Sequence, residues 1–180
     1  MRRLLAILTV LAFGVSACGD DEQQTSESSE QACPEGTPSL QARDVIGTTP
    51  DGYKVAKGDP AAIGRVADGV KQTMGPAFRD YDARVLARRR AANGTAVIVF
   101  NAKERIPPPD ELLREQESAE EKAGVGADTI SVGSADGRLY QAPDGGWVAV
   151  APAGACAMVL LVSDREELIR DAATLVMNDA

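Results

Sequence analysis

Asp80-Tyr81-Asp82-Ala83-Arg84-Val85-Leu86-Ala87-Arg88-Arg89-Arg90-Ala91-Ala92-Asn93-Gly94-Thr95-Ala96-Val97-Ile98-Val99-Phe100-Asn101 admits two readings, and the choice between them decides the fold. Residues 80–92 can form a helix with Asn93-Gly94 as its C-terminal cap. Alternatively, Tyr81 to Ala91 and Thr95 to Asn101 are two strands turning at Asn93-Gly94, a strong short-range hairpin signal. The hairpin is preferred because a related pattern recurs late in the chain. Val97-Ile98-Val99-Phe100-Asn101 followed by Asp110-Glu111-Leu112-Leu113-Arg114 resembles Val159-Leu160-Leu161-Val162-Ser163 followed by Glu166-Glu167-Leu168-Ile169-Arg170. The second unit is preceded by a strand-like segment, Trp147 to Ala151, which supports a strand at Tyr81 to Ala91 in the first. Tyr53 to Ala67 reads as a degenerate third strand-helix unit.

Three helices are expected. The first starts at Asp59-Pro60, a capping residue followed by proline at the first helical position. Ile63, Val66, Ala67, Val70 and Met74 form its apolar stripe, and Gly75-Pro76 ends it. The second opens at Asp110 and stops at Gly124. Its stripe (Leu112, Leu113, Ala119, Ala123) is thin, so most of this helix should face water. The third begins at Ser163-Asp164-Arg165-Glu166, a capping-box pattern, and buries Leu168, Ile169, Ala172, Leu175 and Val176. Short strands are expected at Gly52 to Ala56, Thr129 to Val132, Arg138 to Gln141, Trp147 to Ala151 and Cys156 to Val162. Asp136-Gly137, Asp144-Gly145-Gly146 and Ala153-Gly154 punctuate them as a meander. The fold class that follows is α+β: one domain, with a largely antiparallel sheet covered by about three helices and a strand-helix repeat within it.

Composition removes several kinds of chemistry. The chain has no histidine, which excludes Ser-His-Asp and Cys-His nucleophilic systems, His-based zinc hydrolysis and the commonest general base. No phosphate-cradling glycine motif is present. Asp51-Gly52, Asp136-Gly137 and Asp144-Gly145 lack calcium-loop spacing and read as turns. No metal and no cofactor is therefore expected. A carboxylate pair can still hydrolyse glycosides. Asp80 and Asp82, flanking Tyr81, are the nearest candidates, and the hairpin puts both side chains on one sheet face. Aromatic platforms for a sugar are scarce, with Tyr140 and Trp147 the nearest pair. Arg84, Arg88 and Arg90 share a face in the same hairpin. Arginine forks suit phosphate, so they are candidates for an anionic ligand or lipid headgroup. The plainer reading is an edge strand whose charges block unwanted sheet pairing.

The amino terminus sets the address. Arg2 and Arg3 precede an apolar run from Leu4 to Gly14, followed by Val15-Ser16-Ala17-Cys18. This is the grammar of a secretory signal, and the run is shorter than the about 20 residues a membrane span needs. Val15-Ser16-Ala17-Cys18 resembles the lipobox of bacterial lipoproteins. That resemblance implies removal of residues 1–17, diacylglyceryl and palmitate-type acylation at Cys18, and a protein on the outer face of the cell membrane; two acyl chains give stable anchoring. Residues 18–31 then form a tether rich in Asp, Glu, Gln and Ser, with the composition of a disordered segment and a root-mean-square reach of roughly 20 Å. Residues 32–180 form the domain. The formal charge of −8 becomes −10 without Arg2 and Arg3, and −5 without the tether's five acids. A net-negative exported domain argues against a nucleic-acid partner, whose phosphates call for a basic face.

With Cys18 given to lipid, the exported location implies that Cys33 and Cys156 are bonded, since disulfides persist in oxidising compartments. The same location makes Asn93-Gly94-Thr95 a turn rather than a glycosylation acceptor. The functional expectation is a lipid-anchored envelope protein whose domain is a non-enzymatic module binding a ligand or another envelope protein. The alternatives are a carboxylate hydrolase of envelope glycans, a structural or assembly accessory, and a small solute-binding component.

Overall fold

A computed structural model describes residues 32–91, 93–107, 114, 117, 118, 120, 121, 126–142 and 145–177. Seven strands form a single sheet: β1 (Tyr53–Ala56), β2 (Phe78–Arg88), β3 (Thr95–Ala102), β4 (Ala127–Val132), β5 (Ala135–Gln141), β6 (Trp147–Pro152) and β7 (Ala157–Ser163). Their order is β1-β2-β3-β7-β6-β5-β4, and every neighbouring pair is antiparallel. The chain thus builds β1 to β3 from one edge, lays β4 to β7 as a meander from the other, and closes the sheet where β7 meets β3. The α+β architecture expected from the sequence is the one observed.

β3 and β7 read as unbroken apolar runs because both of their faces are covered. Val97, Val99, Val159 and Leu161 point to one core, shared with α1 (Ala42–Ile46) and α3 (Glu166–Leu175). Ile98, Phe100, Met158 and Leu160 point to the other, beneath α2 (Pro60–Met74). Side chains alternate across a strand, so a run that is apolar at every position serves two layers of helix.

The preferred hairpin is present, but Asn93-Gly94 is not a two-residue turn. The last β2–β3 pair is Leu86 with Thr95, but β2 runs on to Arg88, which pairs with Tyr53 of β1; six residues, 89–94, therefore separate the two strands, and β2 stops at Arg88 rather than Ala91. Gly94 is instead needed for close approach: a Cβ there would lie 2.6 Å from the Leu86 carbonyl oxygen and 2.7 Å from the Ala87 Cβ. β2 also carries a bulge, since Phe78 pairs with Ala102 and Asp80 with Asn101, leaving Arg79 as the extra residue. A bulge re-aims the side chains beyond it. Here it turns Phe78 and Tyr81 to the same face, where their rings lie 6.5 and 6.1 Å from that of Phe100.

α2 starts as its sequence predicts. The Asp59 carboxylate accepts from the Ala61 N–H at 3.0 Å, Pro60 opens the helix, and Gly75 ends it at φ 53°. The expected capping box of α3 does not form. Ser163 is still the last residue of β7, and its hydroxyl donates to the Gly94 carbonyl at 3.2 Å. Arg165 occupies the N-cap position without a side-chain cap, and Glu166 pairs with Arg170 one turn on at 2.7 Å. Ile169, Ala172 and Ala173 bury fully, while Leu168 and Leu175 are only half-buried. The stripe of the second predicted helix, Leu112, Leu113, Ala119 and Ala123, lies outside the described residues. Arg114, Glu117, Ser118, Glu120 and Glu121, which fall within that prediction, are helical. Glu117 and Glu120 meet the face that α2 covers, whereas α3 packs on the opposite face. The two strand-helix units therefore place their helices on opposite sides of the sheet, and similar sequence here marks similar local structure rather than two superposable halves.

Candidate functional site

The disulfide expected from the sequence joins Cys33 to Cys156, with Cα atoms 6.1 Å apart and a sequence separation of 123. Backbone contacts hold the same place. Ala32 bridges Glu104, and the Cys33 N–H donates to the Lys103 carbonyl at 2.9 Å. The chain therefore enters the domain at the end of the sheet where β3 finishes and β7 begins. Cys18 lies outside the described residues.

Asp80 and Asp82 share one sheet face, as the hairpin requires, but both carboxylates are engaged. Asp80 accepts from the Ser39 hydroxyl at 2.6 Å and from the Asn101 amide at 2.8 Å. Asp82 accepts from the Ala42 N–H at 3.0 Å and from Arg84 at 3.0 Å. Asn101 completes the arrangement by holding both the N–H and the carbonyl of Leu40. Together these groups fasten residues 39–42 across β2 and β3 and set the first turn of α1. This is the work of polar groups that tie down a segment, although the Asp80 side chain keeps 44% of its surface open to solvent while Asp82 keeps 19%.

The three arginines do not form a free cationic face. Arg84 is paired with Asp82, and Arg88 with Asp171 of α3 at 2.5 Å. Arg90 is exposed in the turn beyond the end of β2. Tyr140 and Trp147 do not make a sugar platform either. They sit on adjacent strands, but Tyr140 belongs to the core beneath α2 and Trp147 packs on the opposite core.

A buried polar cluster that the sequence reading did not single out lies between β5 and the helix bearing Glu120. Glu120, Arg138 and Tyr140 are 5%, 7% and 1% exposed. Arg138 donates through Nε to Glu120 Oε1 at 2.9 Å and through Nη2 to Glu120 Oε2. Nη1 reaches Glu117 and Thr129, and Nη2 also reaches the Ala127 carbonyl. All five guanidinium N–H groups, the full complement of the side chain, thus have acceptors. The Tyr140 hydroxyl donates to Glu120 Oε1 at 2.8 Å. Burial, followed by the neighbouring Glu120 carboxylate, raises the Tyr140 phenol far above its ordinary range, and the hydrogen bond to Glu120 holds the Arg138 guanidinium firmly charged. With no donor to spare and no opening, the cluster clamps the helix bearing Glu120 onto β5. Arg138 and Tyr140 are two apart on a strand and so face the same way, which is the one signal the sequence carried; nothing distinguished Glu120 from the glutamates around it.

One apolar seam remains. Beneath the last turns of α2, Val70, Thr73 and Met74 face Phe100, Val150, Met158 and Leu160 across a cavity of about 20 Å³. Tyr81, 42% exposed, is the large exposed hydrophobic side chain among the described residues, and it stacks on Phe100. Among the described residues no group of three or more His, Cys, Asp or Glu side chains is placed to hold a metal ion, and no helix is long and apolar enough to cross a membrane. No protein-family model matches the chain, and neither does any curated protein or solved structure compared with it.

Proposed function

We propose that this chain is a lipid-anchored protein of the bacterial cell envelope, acylated at Cys18 and held on the outer face of the cell membrane. Its domain is a non-enzymatic module that binds a ligand or another envelope protein. The observation that carries this reading is the pairing of Cys33 with Cys156. The chain has three cysteines, and that bond leaves Cys18 at the end of Val15-Ser16-Ala17-Cys18 as the only thiol for a lipid. A disulfide closing so long a loop also suits an exported domain, because it persists where thiols are not kept reduced. The non-enzymatic part rests on the engagement of Asp80 and Asp82, the acids best placed for glycoside hydrolysis. Each is spent on holding residues 39–42, so substituting them should first loosen that segment.

The test is fractionation of cells expressing the chain and its Cys18→Ala variant, with incorporation of a palmitate analogue followed in parallel. The parent should be extracted only by detergent and carry the label. The variant should lose the label and leave the washed membrane fraction. A Cys18→Ala chain that still requires detergent for extraction would contradict the anchor.

A further inference from the structure

The seam between α2 and the sheet lies close to where the anchored end of the chain joins the domain. Met158 is two residues beyond Cys156 on β7, about 7 Å along an extended strand, and Phe100 pairs with Met158. The last turn of α2 leads directly into Ala77, whose carbonyl accepts from the Lys103 N–H beside Cys33. From Cys18 to Cys33 the chain spans fifteen steps and reaches at most about 50 Å. On the lipoprotein reading, on which this inference rests, acyl chains are therefore always within range of this seam.

We infer that the seam beneath α2 is a binding site for an acyl chain, with α2 as the element that lifts to admit it. The lining is apolar apart from Thr73, and two of its members, Met74 and Met158, are unbranched side chains that repack readily. As it stands, the cavity holds little more than one water-sized group, so an acyl chain enters only if α2 rises. Its construction permits that. Glycines flank the helix: Gly58 is packed, a Cβ there falling 2.7 Å from Val85, but Gly75, at φ 53°, has open space around it, and small residues at the ends of elements are common hinge positions. Gly64 and Gly69 lie within it, and interior glycines weaken a helix relative to alanine. Its fully buried contacts come from only Ile63, Ala67 and Val70. Phe100 lines the cavity, and the rings of Phe78 and Tyr81 lie 6.5 and 6.1 Å from it; Tyr81, 42% exposed, carries an apolar ring with a polar tip, as interfacial tyrosines do.

The experiment titrates the full chain carrying Cys18→Ala, purified after export without detergent, with cis-parinaric acid, a fatty acid whose fluorescence rises in apolar surroundings. Saturable one-to-one binding is expected. Val70→Phe, which fills the seam, should weaken it by at least about tenfold, a change in the range that pocket methylenes command. Met74→Ala, which enlarges the seam, should not weaken it, and circular dichroism of both variants separates loss of the site from loss of the fold. Absence of saturable binding, or affinity indifferent to both substitutions in folded protein, would overturn the inference. Because this titration needs no lipid on Cys18, it stands or falls separately from the anchor. Amide exchange then identifies the source of the chain. Slower exchange across Val70–Met74 in the lipidated protein than in Cys18→Ala assigns the seat to the protein's own anchor, and equal exchange assigns it to a separate lipid.

Discussion

Glu120 and Arg138 show how a charged pair can belong in a core. Each is almost wholly buried, and removing water from both charges is tolerable only because every guanidinium N–H has an acceptor. Breaking such a pair strands a charge. Glu120→Ala should therefore cost about 3–5 kcal/mol in urea unfolding, whereas replacing both residues with apolar side chains of similar volume should cost much less. Tyr140 supplies a pH test of the same cluster. A phenol whose folded pKa is raised contributes stability that is complete below its unfolded value of about 10 and is lost as pH rises beyond it. In spectrophotometric titration at about pH 11, native Tyr140→Phe should show the same phenolate signal as the parent, while in denaturant it should show one phenolate fewer. An equal deficit in the native state would mean that Tyr140 ionises while folded. Gly137 makes a steric prediction. A Cβ there would stand 2.3 Å from the Val150 carbonyl oxygen, backbone that cannot step aside, so Gly137→Ala should destabilise by about 1–3 kcal/mol, read as a shift in the urea midpoint.

At the scale of elements, the legible features were those fixed by nearest neighbours in sequence. Asp59-Pro60 named the start of α2 and Gly75 its end, because capping and proline stereochemistry are local. The continuous runs of β3 and β7 mark buried strands, and the hairpin is preferred over the helix because the related late unit is preceded by a strand, Trp147 to Ala151. What could not be read was set by distant partners. The length of the β2–β3 connection follows from where β1 pairs along β2, with Tyr53 opposite Arg88. Ser163 lost its role as a cap to the extension of β7. Arg84 is neutralised by Asp82 two residues before it on the same strand, which the spacing alone could have suggested, whereas Arg88 meets Asp171 of α3 across the fold, which it could not. The same contacts predict how the helices are held. α3 is fixed by Arg88 to Asp171, by the Thr95 hydroxyl on the Leu168 carbonyl at 2.8 Å, and by the Gly133 N–H on the Ala173 carbonyl at 2.8 Å. Amides of α3 should accordingly exchange with solvent more slowly than those of α2, whose interior carries Gly64 and Gly69. The opposite ranking would contradict α2 as the movable element.

For the whole molecule, the Cys33–Cys156 bond does two things. It closes a loop of 123 residues, and loops of about that length are stabilised by up to roughly 4.7 kcal/mol in the chain-entropy account. Cys33→Ala with Cys156→Ala should lower stability by about 2–5 kcal/mol. It also fastens the start of the domain to the central strands, so that, if residues 18–31 are the proposed tether, a pull on them would be carried by β3 and β7 rather than by the sheet edges. The acidic composition of residues 18–31 and of the domain fits the proposed anchoring, since like charge discourages collapse onto an anionic surface. These properties make sense together if Cys18 is the point of attachment. Intact-mass spectrometry of the protein extracted from membranes tests that directly. The account predicts a chain that begins at Cys18, carries diacylglyceryl on its sulfur, and lacks the two hydrogens surrendered by Cys33 and Cys156; a chain that retains residues before Cys18, or begins there with a free thiol, would contradict it.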